Sequence, residues 1–101
     1  MWRKEGGVLA LGAFGLGGEM LGSCLVADNE LRALCVDDRY KGQGIGAELV
    51  RAAELVGAER LSCFEYLEKF YSSLGWFTAN RIANWTPGEP DVLCMWAPDH
   101  E

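Results

Sequence analysis

The sequence contains one histidine, His100, near its end, and this scarcity excludes several kinds of active site. Ser–His and Cys–His triads need an imidazole as general base, and many metal centres need one as a ligand. The four cysteines, Cys24, Cys35, Cys63 and Cys94, occur singly and form no Cys-x-x-Cys pair. That spacing argues against zinc ribbons and dithiol redox motifs. We therefore expect no metal site and four buried, reduced thiols.

Positive charge is also scarce, because nine Lys and Arg stand against fifteen Asp and Glu, for a net charge of −6 and a pI near 4.7. This balance has the wrong sign for wrapping nucleic acid. Apolar runs are short, and none reaches the roughly 18 residues of a membrane span. Val8–Leu16 followed by Leu21–Cys24 is similar to a lipoprotein signal, so a lipid anchor at Cys24 is one alternative. The main expectation is a cytoplasmic protein without a nucleic-acid or membrane partner.

The chain has 101 residues, of which 50% are apolar, and it has no low-complexity segment. This composition predicts one compact domain over residues 1–101 rather than disorder. A core this short is only marginally stable by itself. We therefore expect a bound cofactor or a homodimer to add stability.

The first third of the chain is typical of an antiparallel meander. Gly7–Phe14 and Glu19–Ala27 are apolar runs of strand length, and the glycine-rich residues 15–18 separate them. Asp28–Asn29 then forms a tight turn into a third strand, Glu30–Val36. Three consecutive strands follow from this pattern.

The remaining residues alternate between helical and extended patterns. Apolar residues recur at helical spacing within residues 44–57, and Gly57 is placed to end that helix. Leu61–Phe64 is a short strand, Glu65–Leu74 a second helix, and Phe77–Trp85 and Val92–Trp96 two further strands. The predicted order is β-β-β-α-β-α-β-β. It indicates an α/β (α+β) fold in which helices pack on a mixed, mostly antiparallel sheet.

The residues between the third strand and the first helix carry the chemistry. Val36–Ala47 comprises a strand end, a charged loop and three alternate glycines that open a helix. Glycines and a helix N-terminus together present unpaired N–H donors to an anion such as phosphate. Arg39 and Lys41 add positive charge there. The same glycines are also compatible with a tight turn that only requires positive φ.

Residues 34–49 resemble the acetyl-coenzyme A motif of the GNAT N-acetyltransferase superfamily, which is usually written Arg/Gln-x-x-Gly-x-Gly/Ala after a strand that ends in Val. Residues 70–76, Phe-Tyr-Ser-Ser-Leu-Gly-Trp, are similar to the second signature of the family. Together with the flanking strands, the resemblance covers roughly residues 7–97.

The resemblance implies a fold whose fourth and fifth strands splay apart to admit acetyl-coenzyme A. It further implies that main-chain groups of Leu34, Cys35 and Val36 pair with the pantetheine arm. The pyrophosphate would be bound by the main-chain N–H groups of seven consecutive residues, Lys41, Gly42, Gln43, Gly44, Ile45, Gly46 and Ala47. The N–H near Val36 would polarise the thioester oxygen, and Tyr71 would protonate the departing thiolate as general acid.

The sequence departs from the family pattern at several points. Lys41 stands where the family has Arg or Gln, and Phe64 replaces an Asn that is common before the tyrosine. The strand and two helices that usually precede this chain's first strand are missing, so the acceptor side is expected to be open. A second subunit is one way to close it. A module that binds acetyl-coenzyme A without transferring it is the other interpretation.

The general base is the least defined role. Glu30, on the strand that leads to the motif, is the first candidate, Glu65 is the second, and ordered water needs neither. The resulting hypothesis is an N-acetyltransferase that moves acetyl from acetyl-coenzyme A, its only cofactor, to a primary amine by direct attack. The acceptor is a small molecule or a peptide. The alternative is a non-catalytic regulatory or protein-interaction module that binds acetyl-coenzyme A.

Overall fold

The computed structural model describes residues 7–84 and 86–98, a range that contains six strands and two α-helices. The strands are β1 (Val8–Phe14), β2 (Met20–Ala27), β3 (Glu30–Val36), β4 (Arg60–Phe64), β5 (Phe77–Ile82) and β6 (Val92–Trp96). The helices are α1 (Ile45–Leu55) and α2 (Glu68–Ser73). The predicted element order and the mixed α/β class are confirmed. The pairings β1–β2, β2–β3, β4–β6 and β5–β6 are all antiparallel.

The chain divides into two compact units between Ala58 and Glu59. In the first unit, β1, β2 and β3 form a meander whose turns contain residues with positive φ. Gly18 has φ +85° in the first turn. The second turn consists of Asp28 and Asn29, with φ of 52° and 63°. Asp and Asn tolerate this left-handed conformation better than other side chains do.

Helix α1 packs on one face of this meander through its buried residues, which are Ile45, Leu49, Val50 and Ala53. Gly22 of β2 lies directly beneath the helix. A Cβ added at Gly22 would lie 2.8 Å from the carbonyl oxygen of Cys35 and 3.1 Å from Leu49 Cδ1. The absence of a side chain at Gly22 therefore lets α1 approach the sheet closely.

Helix α1 ends in a Schellman motif, as the position of Gly57 predicts. Gly57 has φ +102°, its N–H donates to the Glu54 carbonyl at 3.1 Å, and the N–H of Ala58 donates to the Ala53 carbonyl at 2.9 Å. These two bonds satisfy carbonyls that the end of a helix otherwise leaves unpaired.

In the second unit, β6 lies between β4 and β5, and α2 contacts β5. Leu93 and Met95 of β6 are fully buried, and Trp76 is 2% exposed. Thr78 Oγ1 of β5 donates to Glu68 Oε2 of α2 at 2.5 Å. This half-buried bond fixes the helix to the edge strand of the unit.

Two boundaries differ from the sequence prediction by more than one residue. Residues 65–67 form a 3-10 turn, and only Glu68–Ser73 is α-helical. The residues that precede the two segments, Phe64 and Leu67, supply no side-chain cap, and 3-10 turns are common at such helix ends. The second helix is therefore shorter than predicted.

Strand β5 stops at Ile82, earlier than predicted. Asn84 Nδ2 donates to the Pro90 carbonyl at 3.1 Å, and the N–H of Asn84 donates to Asp91 Oδ1 at 3.2 Å. These bonds involve side chains and replace the strand ladder. The predicted strand end, Trp85, lies outside the described residues.

The expectation of four buried thiols is wrong for Cys35, which is exposed, and Cys94 is half-buried. Cys35 pairs with Ser23, whereas the neighbouring Gly22 is the residue that faces α1, so the Cys35 side chain lies on the opposite face. Burial raises the pKa of Cys24 in β2 and of Cys63 in β4, so both remain thiols.

Candidate functional site

The loop between β3 and α1 forms the junction that the sequence singles out. After Val36, residues 38–40 form a 3-10 turn, and Gly42 and Gly44 both have φ +83°. Gly44 is the residue immediately before α1. The two glycines therefore occupy conformations that other residues rarely adopt.

The main-chain N–H groups of this loop are unused by the rest of the described chain. Within the described residues, 7–84 and 86–98, the N–H groups of residues 41–47 donate to no protein acceptor. The first bond of α1 runs from the N–H of Glu48 to the carbonyl of Gly44 at 3.0 Å. Added Cβ atoms at Gly42 and Gly44 would meet nothing within 4 Å. The loop thus presents consecutive donors, at the positive end of a helix dipole, to open space.

The two loop cations differ from expectation, because each is paired within the loop. Arg39 Nε lies 3.1 Å from Asp37 Oδ1, and Lys41 Nζ lies 2.9 Å from Asp38 Oδ1. Hydrogen bonds from Arg39 lower the pKa of the Asp37 carboxyl, and the neighbouring Asp38 raises the pKa of Lys41. The local excess of positive charge that the sequence predicted is therefore neutralised. Attraction for an anion depends on the N–H donors.

A β-bulge in β3 precedes the loop, and sequence reasoning missed it. Ser23 pairs with Cys35 and Leu25 pairs with Arg32. Cys24 of β2 therefore opposes both Ala33 and Leu34. Ala33 has φ +54°, which is uncommon for a residue with a Cβ. Bulges leave main-chain groups outside the ladder and often lie beside active sites. Alanine has no preference for this conformation, so no local signal marks it.

Glu30, the first candidate base, lies at the start of β3 and is half-buried. Its Oε1 accepts a hydrogen bond from Arg32 Nε at 2.9 Å and lies 2.8 Å from Arg32 Nη2. Glu65, the second candidate, holds Arg81 Nη1 at 2.8 Å. Each carboxylate therefore has one oxygen occupied by an arginine.

Tyr71 lies in α2 of the second unit and is 6% exposed. Its ring centroid is 5.0 Å from that of Phe70 and 6.3 Å from that of Trp76. Its carbonyl accepts the N–H groups of Leu74 and Trp76 at 3.0 and 3.1 Å. The residue is thus held firmly at the end of α2, where the second sequence signature predicts it.

The described residues also bear on metal sites, membrane spans and the alternative lipid anchor. No group of three or more His, Cys, Asp or Glu side chains there is arranged to hold a metal ion. No helix in that part of the chain is long and apolar enough to cross a membrane. Cys24, the alternative lipid-anchor residue, is buried within β2, and His100 lies outside the described residues.

A family model described as an acetyltransferase (GNAT) domain matches residues 4–77. The match spans both the loop and the 70–76 signature. No curated protein matches the sequence.

Solved structures of acetyltransferases share the fold. An aminoglycoside 6'-N-acetyltransferase complexed with coenzyme A is 16% identical, with a TM-score of 0.75 over 90% of this chain and 72% of that one. The ribosomal-protein-S18-alanine N-acetyltransferase of Escherichia coli is 24% identical, with a TM-score of 0.72 over 89% and 68%. A spermidine N-acetyltransferase mutant of Vibrio cholerae is 13% identical, with a TM-score of 0.72 over 89% and 64%. At these identities the likeness shows the fold alone.

Proposed function

The chain belongs to the GNAT acetyltransferase family, and from that premise we propose that it transfers an acetyl group from acetyl-coenzyme A to a primary amine. The observation that carries the proposal is the row of unpartnered N–H groups over residues 41–47, between a strand end and a helix N-terminus. A pyrophosphate needs several neighbouring donors, because it is charged and has no donor of its own. The residues of the loop therefore fit the phosphate part of coenzyme A.

The strand before the loop fits the pantetheine arm. The bulge takes in Ala33 and Leu34 and interrupts the ladder to β2 there, whereas Cys35 and Val36 are again paired with Ser23 and Gly22. Amides of the arm can pair with main-chain groups that a bulged strand leaves available.

In the proposed reaction, acetyl-coenzyme A supplies an activated thioester. The amine nitrogen attacks the thioester carbonyl carbon, the C–S bond breaks, and the thiolate takes a proton. The N–H near Val36 stabilises the negative charge that develops on the carbonyl oxygen. Tyr71 gives its proton to the departing sulfur. No covalent acyl-enzyme forms.

The amine must lose a proton before or during attack. Glu30 is the first candidate to accept it, although one of its oxygens already holds Arg32. Glu65 is similarly paired with Arg81. These pairs favour a route in which ordered water carries the proton away. The two carboxylates then influence the proton only through their electrostatic field and do not accept it.

The proposed acceptor is a small-molecule or peptide amine, and the proposed assembly is a homodimer. Among the described residues β1 pairs with β2 only, and its sequence, Val-Leu-Ala-Leu-Gly-Ala-Phe, carries no charge. Natural edge strands usually carry charged residues or β-bulges that prevent pairing with a strand of another chain. Static light scattering of the purified chain tests the dimer.

A second candidate function is a module that binds acetyl-coenzyme A without transferring it. It is favoured by the pairing of both candidate bases, because Glu30 is held by Arg32 and Glu65 by Arg81. The chain covers 64 to 72% of the three acetyltransferase chains described above. Such a module would keep the loop and lose turnover.

The experiment that tests the proposal begins with calorimetric titration of the purified chain with acetyl-coenzyme A. Release of free thiol is then followed with polyamines, aminoglycosides, small amines and peptide N-termini as acceptors. An enzyme binds and turns over at least one of them. Binding without turnover favours the module, and absence of binding refutes both functions.

Tyr71→Phe discriminates further, because it removes one hydroxyl and keeps the ring that packs against Trp76. We expect the variant to bind acetyl-coenzyme A like the wild type and to lose turnover by about 10²- to 10⁴-fold, the usual contribution of a general acid. Unchanged turnover would show that Tyr71 is a packing residue only.

A further inference from the structure

Asp37 is the residue at which β3 passes into the loop, and its main chain is bonded on both sides. Its N–H donates to the carbonyl of Leu21 in β2 at 2.9 Å, and its carbonyl accepts the N–H of Tyr40 at 2.9 Å. The first bond anchors the residue to the sheet. The second closes the 3-10 turn of residues 38–40.

The side chain of Asp37 caps the same turn. Asp37 Oδ1 accepts the main-chain N–H of Arg39 at 2.9 Å, and the two carboxylate oxygens also accept Arg39 Nε and Nη2, each at 3.1 Å. The guanidinium lies 5.3 Å from the ring centroid of Tyr40. An exposed ion pair of this kind contributes little by itself. The capping bond to the main chain is the contact that sets the direction of the chain towards Lys41.

We infer that Asp37 is a positioning residue for phosphate binding: its cap holds the turn of residues 38–40 and thereby aligns the N–H groups of residues 41–47. The inference rests on the proposed function, because the phosphates are those of coenzyme A. Asp37 acts through the loop that follows it. It is also distinct from Arg39 and Lys41, the two cations that the sequence pattern singled out beside the glycines.

Three variants separate the cap from the ion pair. Asp37→Ala removes both, Asp37→Asn keeps an oxygen that accepts the Arg39 N–H, and Arg39→Ala removes the guanidinium but keeps the cap. We expect Asp37→Ala to weaken binding of acetyl-coenzyme A at least about tenfold, and the other two to stay within about threefold of wild type, because Asn caps about as well as Asp. Equal losses in all three variants would overturn the inference, as would tight binding by Asp37→Ala.

A ligand comparison locates the effect along the coenzyme. Dephospho-coenzyme A retains the pyrophosphate and lacks the 3'-phosphate, so the loss in Asp37→Ala should be the same for it and for coenzyme A. A loss confined to coenzyme A would place the effect at the 3'-phosphate and contradict the role. If Asp37→Ala does not fold, Asp37→Ser, which caps without charge, replaces it: retained affinity in Asp37→Ser and Arg39→Ala supports capping, and a tenfold loss in either overturns it.

Amide hydrogen exchange of the unliganded protein distinguishes this inference from the proposed function. The Arg39 amide should exchange at least about tenfold faster in Asp37→Ala than in wild type, and Asp37→Asn should restore the slow rate. If the wild type does not bind acetyl-coenzyme A, the proposed function fails and with it the phosphate role. If the wild type binds and the Arg39 exchange rate does not change, the inference alone fails.

Discussion

Gly44 offers the sharpest test of the proposed phosphate cradle, which consists of the main-chain N–H groups of residues 41–47, because a charge can be placed there without a clash. Its φ is +83° and its ψ is 6°, it immediately precedes α1, and an added Cβ would meet nothing within 4 Å. Gly44→Asp therefore adds a carboxylate beside the unpartnered N–H groups of residues 45–47. Gly44→Asn has the same shape without the charge and is the matched control.

The expected loss of affinity follows from Coulomb's law. A carboxylate about 5 Å from each of two phosphate charges costs roughly 0.8 kcal/mol for each pair even at the dielectric constant of bulk water, about 80, which is a loss of about 16-fold in affinity in total. The carboxylate also accepts N–H bonds that the phosphates need, so the loss should be at least this large. Gly44→Asn should lose clearly less, because only the competition for donors remains.

The thermal stabilities of Gly44→Asp and Gly44→Asn should rank in the opposite order to their affinities. Either side chain in the left-handed conformation costs about 1 kcal/mol, which lowers Tm by about 4–8 °C in a chain of this size. A carboxylate at a helix N-terminus recovers about 0.3–1 kcal/mol of this, and an amide does not. Gly44→Asp should therefore unfold at the same temperature as Gly44→Asn or higher, and yet bind more weakly.

Calorimetric titration with acetyl-coenzyme A gives the affinities, and circular dichroism gives the Tm values. Phosphate binding by the N–H groups of residues 41–47 is refuted if Gly44→Asp binds acetyl-coenzyme A as tightly as Gly44→Asn, since a charge beside these donors would then have no effect. It is also refuted if both variants bind like wild type, because the glycine loop would then be only a turn.

Three further outcomes are expected. Asp38→Asn frees Lys41 from its ion pair, so affinity for acetyl-coenzyme A should rise by up to about fivefold by calorimetry, the range of an exposed pair; an unchanged affinity would mean that Lys41 does not reach the phosphates. Because Arg39 lowers the folded-state pKa of Asp37 below its ordinary 3.8, wild type should exceed Asp37→Asn in urea stability at neutral pH, and the excess should disappear as the pH falls through that lowered value; a difference that persists in acid would contradict the ion pair. Gly22→Ala places a Cβ 2.8 Å from a carbonyl oxygen of β3, so urea unfolding should show a loss of about 1–3 kcal/mol, and an unaltered midpoint would mean that the sheet yields at no cost.

Much of the first unit could be predicted from local sequence. Alternating and helical apolar spacing are direct consequences of side-chain geometry, so α1 starts at Ile45 and ends before Gly57 as predicted. Glycines in the loop and at the helix end adopt the positive φ that their positions require. These features depend on residues close together in the chain.

The features that sequence reasoning missed depend on partners from elsewhere. The bulge at Ala33 arises from the register between β2 and β3, which alanine itself does not encode. β5 ends at Ile82 because Asn84 finds partners at Pro90 and Asp91, across the following turn. The exposure of Cys35 follows from which face α1 covers.

The site itself was predicted in part. Motif spacing singled out the loop of residues 41–47, and its positive-φ glycines and the start of α1 lie where that spacing predicts them. That the loop binds the phosphates of coenzyme A stays a prediction. The same spacing did not reveal that Asp37 and Asp38 neutralise the neighbouring cations, because that depends on the 3-10 turn. The roles of Tyr71 and Glu30 remain predictions.

The paired charges of the loop also determine how a ligand would be captured. With Arg39 and Lys41 each held by an aspartate, the side chains of the loop add no net positive charge, while the whole chain carries a net charge of −6. A polyanion is repelled by this net charge once it comes within about one Debye length, roughly 8 Å at physiological ionic strength, and it is recognised only on contact with the N–H donors. Added salt should therefore accelerate its association, opposite to the behaviour of sites that steer anions electrostatically. Encounter with this protein would be slow in dilute buffer and faster in the ionic strength of a cell.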